Sequence, residues 1–182
     1  QLGAYQPSST VLPKFEPTPP NPAQIDELAD RLVRAKCPII IGGRGAQRAG
    51  AIKDIEALAE AAGALLATTL PMRGMFDHDP FSVGISGGYA RAIAREMGQQ
   101  ADLVVAFGAS LTYYTVDGGK MYPNAKVVQV DMDPLGLRHG MKAADLYLRA
   151  DAKLAAIEAT KAVRAKGGGK ATVRTAELAR RI

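Results

Sequence analysis

Cys37-Pro38-Ile39-Ile40-Ile41-Gly42-Gly43-Arg44-Gly45-Ala46 is the stretch on which the reading of this chain turns. An apolar run ends on glycines and an arginine, and a helical pattern follows. Such a junction brings backbone N–H groups and a helix N-terminus together, the usual way an α/β protein cradles a phosphate. A nucleotide-binding turn is the expectation for Gly42, Gly43, Arg44 and Gly45.

Working outward, Asn21-Pro22-Ala23-Gln24 supplies an N-cap, a first-turn proline and a capping-box glutamine. Ile25, Leu28, Ala29, Leu32 and Val33 then follow at helical spacing. Ile52, Ile55, Leu58, Ala59 and Ala62 mark a second amphipathic helix, closed by Gly63. Apolar runs at 64–69, 81–85, 103–107, 126–130 and 146–148 read as further strands, with a helix carrying Ala90, Ile93, Ala94 and Met97 between two of them and a last one capped by Asp151. Strands apolar on both faces, separated by helices, indicate a parallel sheet covered on both sides. The fold class is therefore α/β, a doubly wound six-stranded sheet in a Rossmann-like three-layer α/β/α arrangement.

The ends read differently. Prolines at 7, 13, 17, 19 and 20 make residues 1–20 an extended linker, and Gly167-Gly168-Gly169 opens a basic tail over 165–182 that reads as a second linker, leaving 21–164 as the central domain. A helical pattern reappears at Thr175–Arg181.

Composition excludes several classes. The 182 residues suffice for one domain, and no apolar run approaches the ~20 residues that cross a bilayer. No N-terminal basic segment precedes a hydrophobic block, so the chain reads as soluble and cytoplasmic. Its single cysteine, Cys37, excludes a disulfide framework and reads as a small buried hydrophobe. The net charge of +5 permits anionic partners. Much of the basic excess falls after residue 160, and aromatics are 5% of the chain without interleaved basic residues, so nucleic acid is not expected.

The first turn departs from the dinucleotide fingerprint. With Gly43 and Gly45 as its first two glycines, the third position holds Arg48, and the second strand ends in Thr68-Thr69 rather than an acidic residue. Asp131-Met132-Asp133-Pro134 instead places carboxylates after a later strand, where they either meet ribose hydroxyls or tighten a turn. Arg44 either clamps a diphosphate or lies on the surface. Arg73, on the loop after the second strand, is a ligand contact or a domain-interface salt bridge.

Gly84-Ile85-Ser86-Gly87-Gly88 fits G-x-S-x-G, and Asp131 and His139 follow in hydrolase order. Acid and base would then share one loop, which that fold does not allow, so a serine hydrolase is a minor alternative. Asp77-His78-Asp79 lacks supporting ligands for a metal, and Asp117-Gly118-Gly119 reads as a turn.

Taken in order, Pro38 to Ala46, Leu65 to Phe76, Phe81 to Tyr89, Phe107-Gly108-Ala109 and Val130 to Pro134 resemble the central domain of thiamine-diphosphate-dependent enzymes. That family includes acetolactate synthase and the benzoylformate and oxalyl-CoA decarboxylases. The resemblance covers about residues 21–164 and implies a non-catalytic middle domain between a pyrimidine-binding and a diphosphate-binding domain, in a homo-oligomeric decarboxylase or carboligase. Thiamine diphosphate and Mg2+ would then bind only in the intact parent. Some members hold FAD or ADP in this domain, which by position would touch Gly42, Gly43, Arg44, Gly45, Thr69, Leu70, Gly84, Ile85, Ser86, Gly87, Gly108, Ala109, Asp131 and Met132. FAD-binding members carry an arginine and acidic residues where this chain has Ser110-Leu111-Thr112-Tyr113-Tyr114. That departure weighs against FAD and leaves an adenine nucleotide, a CoA moiety or an empty structural domain. A stand-alone nucleotide-binding module is the alternative from another class.

Overall fold

The computed structural model describes Pro7 and residues 16–133 and 144–182. Six parallel strands, β1 (Pro38–Gly42), β2 (Leu65–Thr68), β3 (Ser82–Ile85), β4 (Leu103–Phe107), β5 (Lys126–Asp131) and β6 (Leu146–Arg149), form one sheet in the order β3-β2-β1-β4-β5-β6. The chain reverses its direction of winding between β1 and β4. In a doubly wound sheet the crevice outside the carboxyl ends of the strands opens at such a point.

Alternation along the strands sorts the core into two layers. Ile40, Leu66, Val105 and Phe107 face α1 (Pro22–Arg34), α3 (Ile52–Ala62) and α6 (Ala152–Ala165), which pack side by side. Ile39, Ile41, Leu65 and Val104 face the other way, against Ile93, Ala94 and Met97 of α4 (Ala92–Gln100). The three-layer reading is thus observed. Short helices α2 (Arg44–Arg48) and α5 (Tyr113–Val116) sit at the carboxyl edge, after β1 and β4.

The local signals act largely as the sequence implies. Asn21 Oδ1 accepts from Ala23 N at 2.9 Å, Asp151 Oδ1 accepts from Lys153 N and Leu154 N, and Gly63 ends α3 at φ 67°. Gln24 is an exception. Its Nε2 donates to Tyr147 O at 3.0 Å, so the side chain ties the helix to the β6 backbone instead of closing a capping box. Asp102 fixes the entry to β1 by accepting from Lys36 N and Cys37 N. Cys37 is buried, and that burial, reinforced by Asp102, pushes its thiol up to about 11.

Residues 167–182 fold back onto the domain. Gly169 N donates to Ala61 O and Arg174 Nε to Ala64 O at 2.7 Å, while the Arg174 guanidinium lies 4.8 Å from the centre of the Phe81 ring. Leu178, on α7 (Ala176–Arg181), is buried in the second core layer. The basic excess is therefore not wholly a solvated end, since the Arg174 side chain is only 17% exposed. Among the described residues no helix is long and apolar enough to cross a membrane.

Candidate functional site

The turn after β1 does not leave all of its N–H groups bare. Gly43 N donates to Phe107 O at 2.9 Å and Gly45 N to Gly108 O at 2.9 Å, while Gly108 N donates to Val130 O. The turns after β1 and β4 therefore meet backbone to backbone. A Cβ on Gly43 would stand 2.2 Å from Gly108 O, so glycine here serves the approach of two chain segments. Two of the N–H groups expected to cradle a phosphate at this turn, those of Gly43 and Gly45, are thus taken by protein.

A cavity of about 780 Å³ opens above that junction. Arg44 and Arg48, one helical turn apart on α2, form one wall. Neither has a hydrogen-bond or ion-pair partner among the described residues. Thr69, Leu70 and Pro71 come from the loop after β2, and Ser110, Thr112 and Tyr114 from the segment after β4. Tyr89 and Tyr114 are 65% and 72% exposed, which leaves two aromatic faces open at the rim.

Of the residues expected to form the site, Arg44, Gly45, Thr69, Leu70, Ser86, Gly108, Ala109 and Asp131 border this cavity. Gly84 and Ile85 border a second one, of about 650 Å³, with Arg73. Gly42 packs under Met75 and Phe76, Gly43 against Gly108, and Gly87 against the carbonyls of Tyr114 and Thr115. Met132 is exposed and borders neither. Arg48, Tyr89 and Tyr114 are cavity residues that sequence reasoning missed. The i,i+4 spacing of Arg44 and Arg48 was a usable signal for the first; nothing local marks the tyrosines.

Asp131 tightens its turn, Oδ1 accepting from Met132 N at 2.7 Å, and also borders the cavity. Burial pushes this carboxyl above its usual range, against the lowering by the Asp133 and Met132 N–H groups. Ser86 Oγ donates to Thr115 O at 2.7 Å and lies 2.7 Å from the Tyr122 hydroxyl, which then donates to it. Burial pushes the Tyr122 phenol well above its usual value. A serine with its proton on a carbonyl and a phenol as neighbour is a structural tie, and the hydrolase alternative loses its nucleophile; His139 lies outside the described residues.

His78 Nε2 stands 2.8 Å from Glu56 Oε1, and among the described residues no three His, Cys, Asp or Glu are placed to share a metal ion. Asp117 Oδ2 accepts from Arg95 Nη1 at 2.8 Å within a short 3₁₀ turn. The Asp117 carboxylate is thus engaged by Arg95 in a turn and does not fit a magnesium–diphosphate site.

Strand order and a cavity outside the carboxyl ends place the chain in the class of doubly wound, three-layer α/β domains. Within that class residues 25–160 match the family described as thiamine pyrophosphate enzyme, central domain, and the chain belongs to that family. An acetolactate synthase of Mycobacterium avium is 32% identical over 164 residues, covering 86% of this chain and 25% of the relative. The acetolactate synthase large subunit of Corynebacterium glutamicum is 29% identical over 137 residues, 74% of this chain and 22% of that protein. The crystal structure of benzoylformate decarboxylase from Polynucleobacter necessarius matches with a TM-score of 0.66 and 25% identity, over 90% of this chain and 30% of that one. The chain thus spans about a quarter of the length of the curated relatives it matches.

Proposed function

We propose that this chain is the non-catalytic central domain, residues 21–164 with flanking linkers 1–20 and 165–182, of a cytoplasmic, homo-oligomeric thiamine-diphosphate-dependent decarboxylase or carboligase acting on a 2-oxo acid or its CoA thioester. Family membership, together with coverage of only a quarter of the relatives, supports a domain of a larger enzyme. The parent's pyrimidine-binding and diphosphate-binding domains would hold thiamine diphosphate and Mg2+. That cofactor supplies an electron sink for the keto carbon; this domain would space the two halves of its site.

The cavity at the carboxyl edge is proposed to take ADP or a CoA moiety, with FAD disfavoured. The observation that carries this reading is the pair of unpartnered guanidiniums, Arg44 and Arg48, facing open aromatic rims at Tyr89 and Tyr114. With the Gly43 and Gly45 N–H groups taken by protein, much of the anion-binding work falls to the two arginines. A thermal-shift titration of this chain with ADP, CoA, FAD and NAD tests it. At a hundredfold excess over Kd, binding raises native stability by about 2.7 kcal/mol. A shift with ADP or CoA that disappears in Arg44→Ala supports the reading. No shift with any of the four leaves a structural spacer.

A further inference from the structure

Tyr89 and Tyr114 border the first cavity from two different segments, one after β3 and one in α5, and a single guanidinium joins those segments. Arg95, on α4, donates Nη2 to Gly88 O at 2.9 Å and Nη1 to Asp117 Oδ2 at 2.8 Å. Gly88 immediately precedes Tyr89, and Asp117 caps the C-terminus of the short helix that carries Tyr114. The backbone brings the two tyrosines together as well. Gly88 N donates to Tyr114 O at 3.0 Å, and a Cβ on Gly87 would collide with that same carbonyl. Both side chains therefore leave neighbouring points on one seam.

Their rings nevertheless stay apart. Tyr114 meets Tyr113 edge-on, with centroids 5.9 Å apart and planes at 83°, while Tyr89 has no ring partner among the described residues. Tyr113 lies over Gly118, where a Cβ would stand 2.9 Å from its ring, so Tyr114 is propped along its edge and remains exposed. Two aromatic side chains kept separate in water at the mouth of one cavity suit a flat ring, which stacks on such faces whatever its edge pattern. Stacking of that kind requires the gap between the faces to be fixed, and a joint between their two segments fixes it. Arginine suits the task, because its planar fork reaches two acceptors at once where a lysine is a point donor. The Arg95 and Asp117 side chains are 43% and 29% exposed, and a pair so wet adds little global stability. Its effect therefore lies in local geometry.

We infer that Arg95 is a positioning residue that sets the gap between Tyr89 and Tyr114, and that this gap selects ligands carrying a flat aromatic base, the part that ADP and CoA share. The inference rests on the nucleotide reading of the first cavity and divides the ligand between two sets of groups: Arg44 and Arg48 take the phosphates, and the tyrosines take the base.

Inorganic pyrophosphate and ADP are the probes, titrated by calorimetry into the chain and its variants, with the backbone amides of Gly88, Tyr89, Tyr114 and Asp117 followed by NMR before any ligand is added. ADP is expected to bind the unaltered chain about tenfold more tightly than pyrophosphate, or better. Arg95→Gln should shrink that advantage to about twofold, leave pyrophosphate unchanged, and shift the four amides in the ligand-free chain. Arg95→Lys, which reaches one of the two acceptors, should restore part of the advantage. Tyr114→Ala should lower ADP affinity as Arg95→Gln does and spare pyrophosphate. An unchanged ratio of the two affinities in Arg95→Gln would overturn the proposal, as would equal losses for both probes, the mark of a merely structural role. Pyrophosphate binding the unaltered chain as tightly as ADP would overturn base selection and leave the anion site standing. If neither probe bound, the nucleotide reading itself would fall, and the selection with it.

Discussion

At the centre of the sheet the turns after β1 and β4 meet backbone to backbone, Gly43 and Gly45 donating to Phe107 and Gly108. At its outer edge, β2 and β3 carry hydroxyls that meet nothing. Sequence reasoning ranks these regions the other way round, because glycines after a strand advertise bare N–H groups whereas a threonine and a serine in strands advertise nothing. The difference teaches that a glycine-rich turn has two physical uses, cradling a ligand and admitting a neighbouring backbone, and that local sequence does not separate them. Only the strand paired alongside decides, and here β4 takes the space.

Substitutions that add one methyl at each region sharpen this contrast most. Gly43→Ala puts a Cβ 2.2 Å from Gly108 O and 2.7 Å from Ala109 Cα, and neither backbone atom can rotate away. A loss of about 3 kcal/mol in urea unfolding is expected. Gly74→Ala, on the outer loop, meets only Asp77 Oδ2 at 3.7 Å and is strained by its φ of 89° alone. That change should cost about 1 kcal/mol. Equal losses would break the claim that the centre is sealed by close approach.

A second, smaller effect is expected where the central region is tied by side chains. Ser86→Ala strips the Tyr122 hydroxyl of its neighbour and leaves the Thr115 carbonyl without that donor. Stability should fall by about 1–3 kcal/mol. Adding Tyr122→Phe should restore part of it, since two apolar groups then replace two polar ones. If Ser86→Ala were neutral, the serine would not be structural, and its place on the cavity wall would need a different account.

How much of this was legible follows from the range of each signal. The strands and the helices that cover them are written locally, as apolar runs and as caps such as Asn21, Asp151 and Gly63. Even there Gln24 was misread, because its acceptor, Tyr147 O, is 123 residues away. The return of residues 167–182 was invisible for the same reason. Arg174 binds Ala64 O and Phe81 across a separation no periodicity encodes. In the candidate site, the sequence pointed to the carboxyl edge, where the first cavity opens, and chose turn residues, while the side chains without partners in its wall are Arg44 and Arg48, beside two exposed tyrosines.

The outer edge gives an effect of opposite sign. Thr68→Val replaces a buried, unpartnered hydroxyl by a methyl of similar size. A gain of about 1 kcal/mol in urea unfolding is expected, where most buried substitutions lose stability. A loss of the same size would show that the hydroxyl is bonded in solution, and the contrast between centre and edge would narrow to packing alone.

The smallest effect concerns Asp131, at the end of β5 beside the sealed centre. Burial raises its carboxyl in the folded state above the unfolded value. The native state therefore binds the proton more tightly, and the cost of holding the charge is fully present above the folded-state pKa. It is relieved as pH falls through that value toward the unfolded one. Asn at this position keeps an oxygen to accept from Met132 N and never carries the charge. Asp131→Asn should therefore be more stable than the parent chain at neutral pH, with the margin closing on acidification through the carboxylate range. Urea unfolding at a series of pH values measures that margin. A margin independent of pH would assign the difference to packing and leave the carboxylate charged at no cost, as it would be if the first cavity were fully open to water at that point.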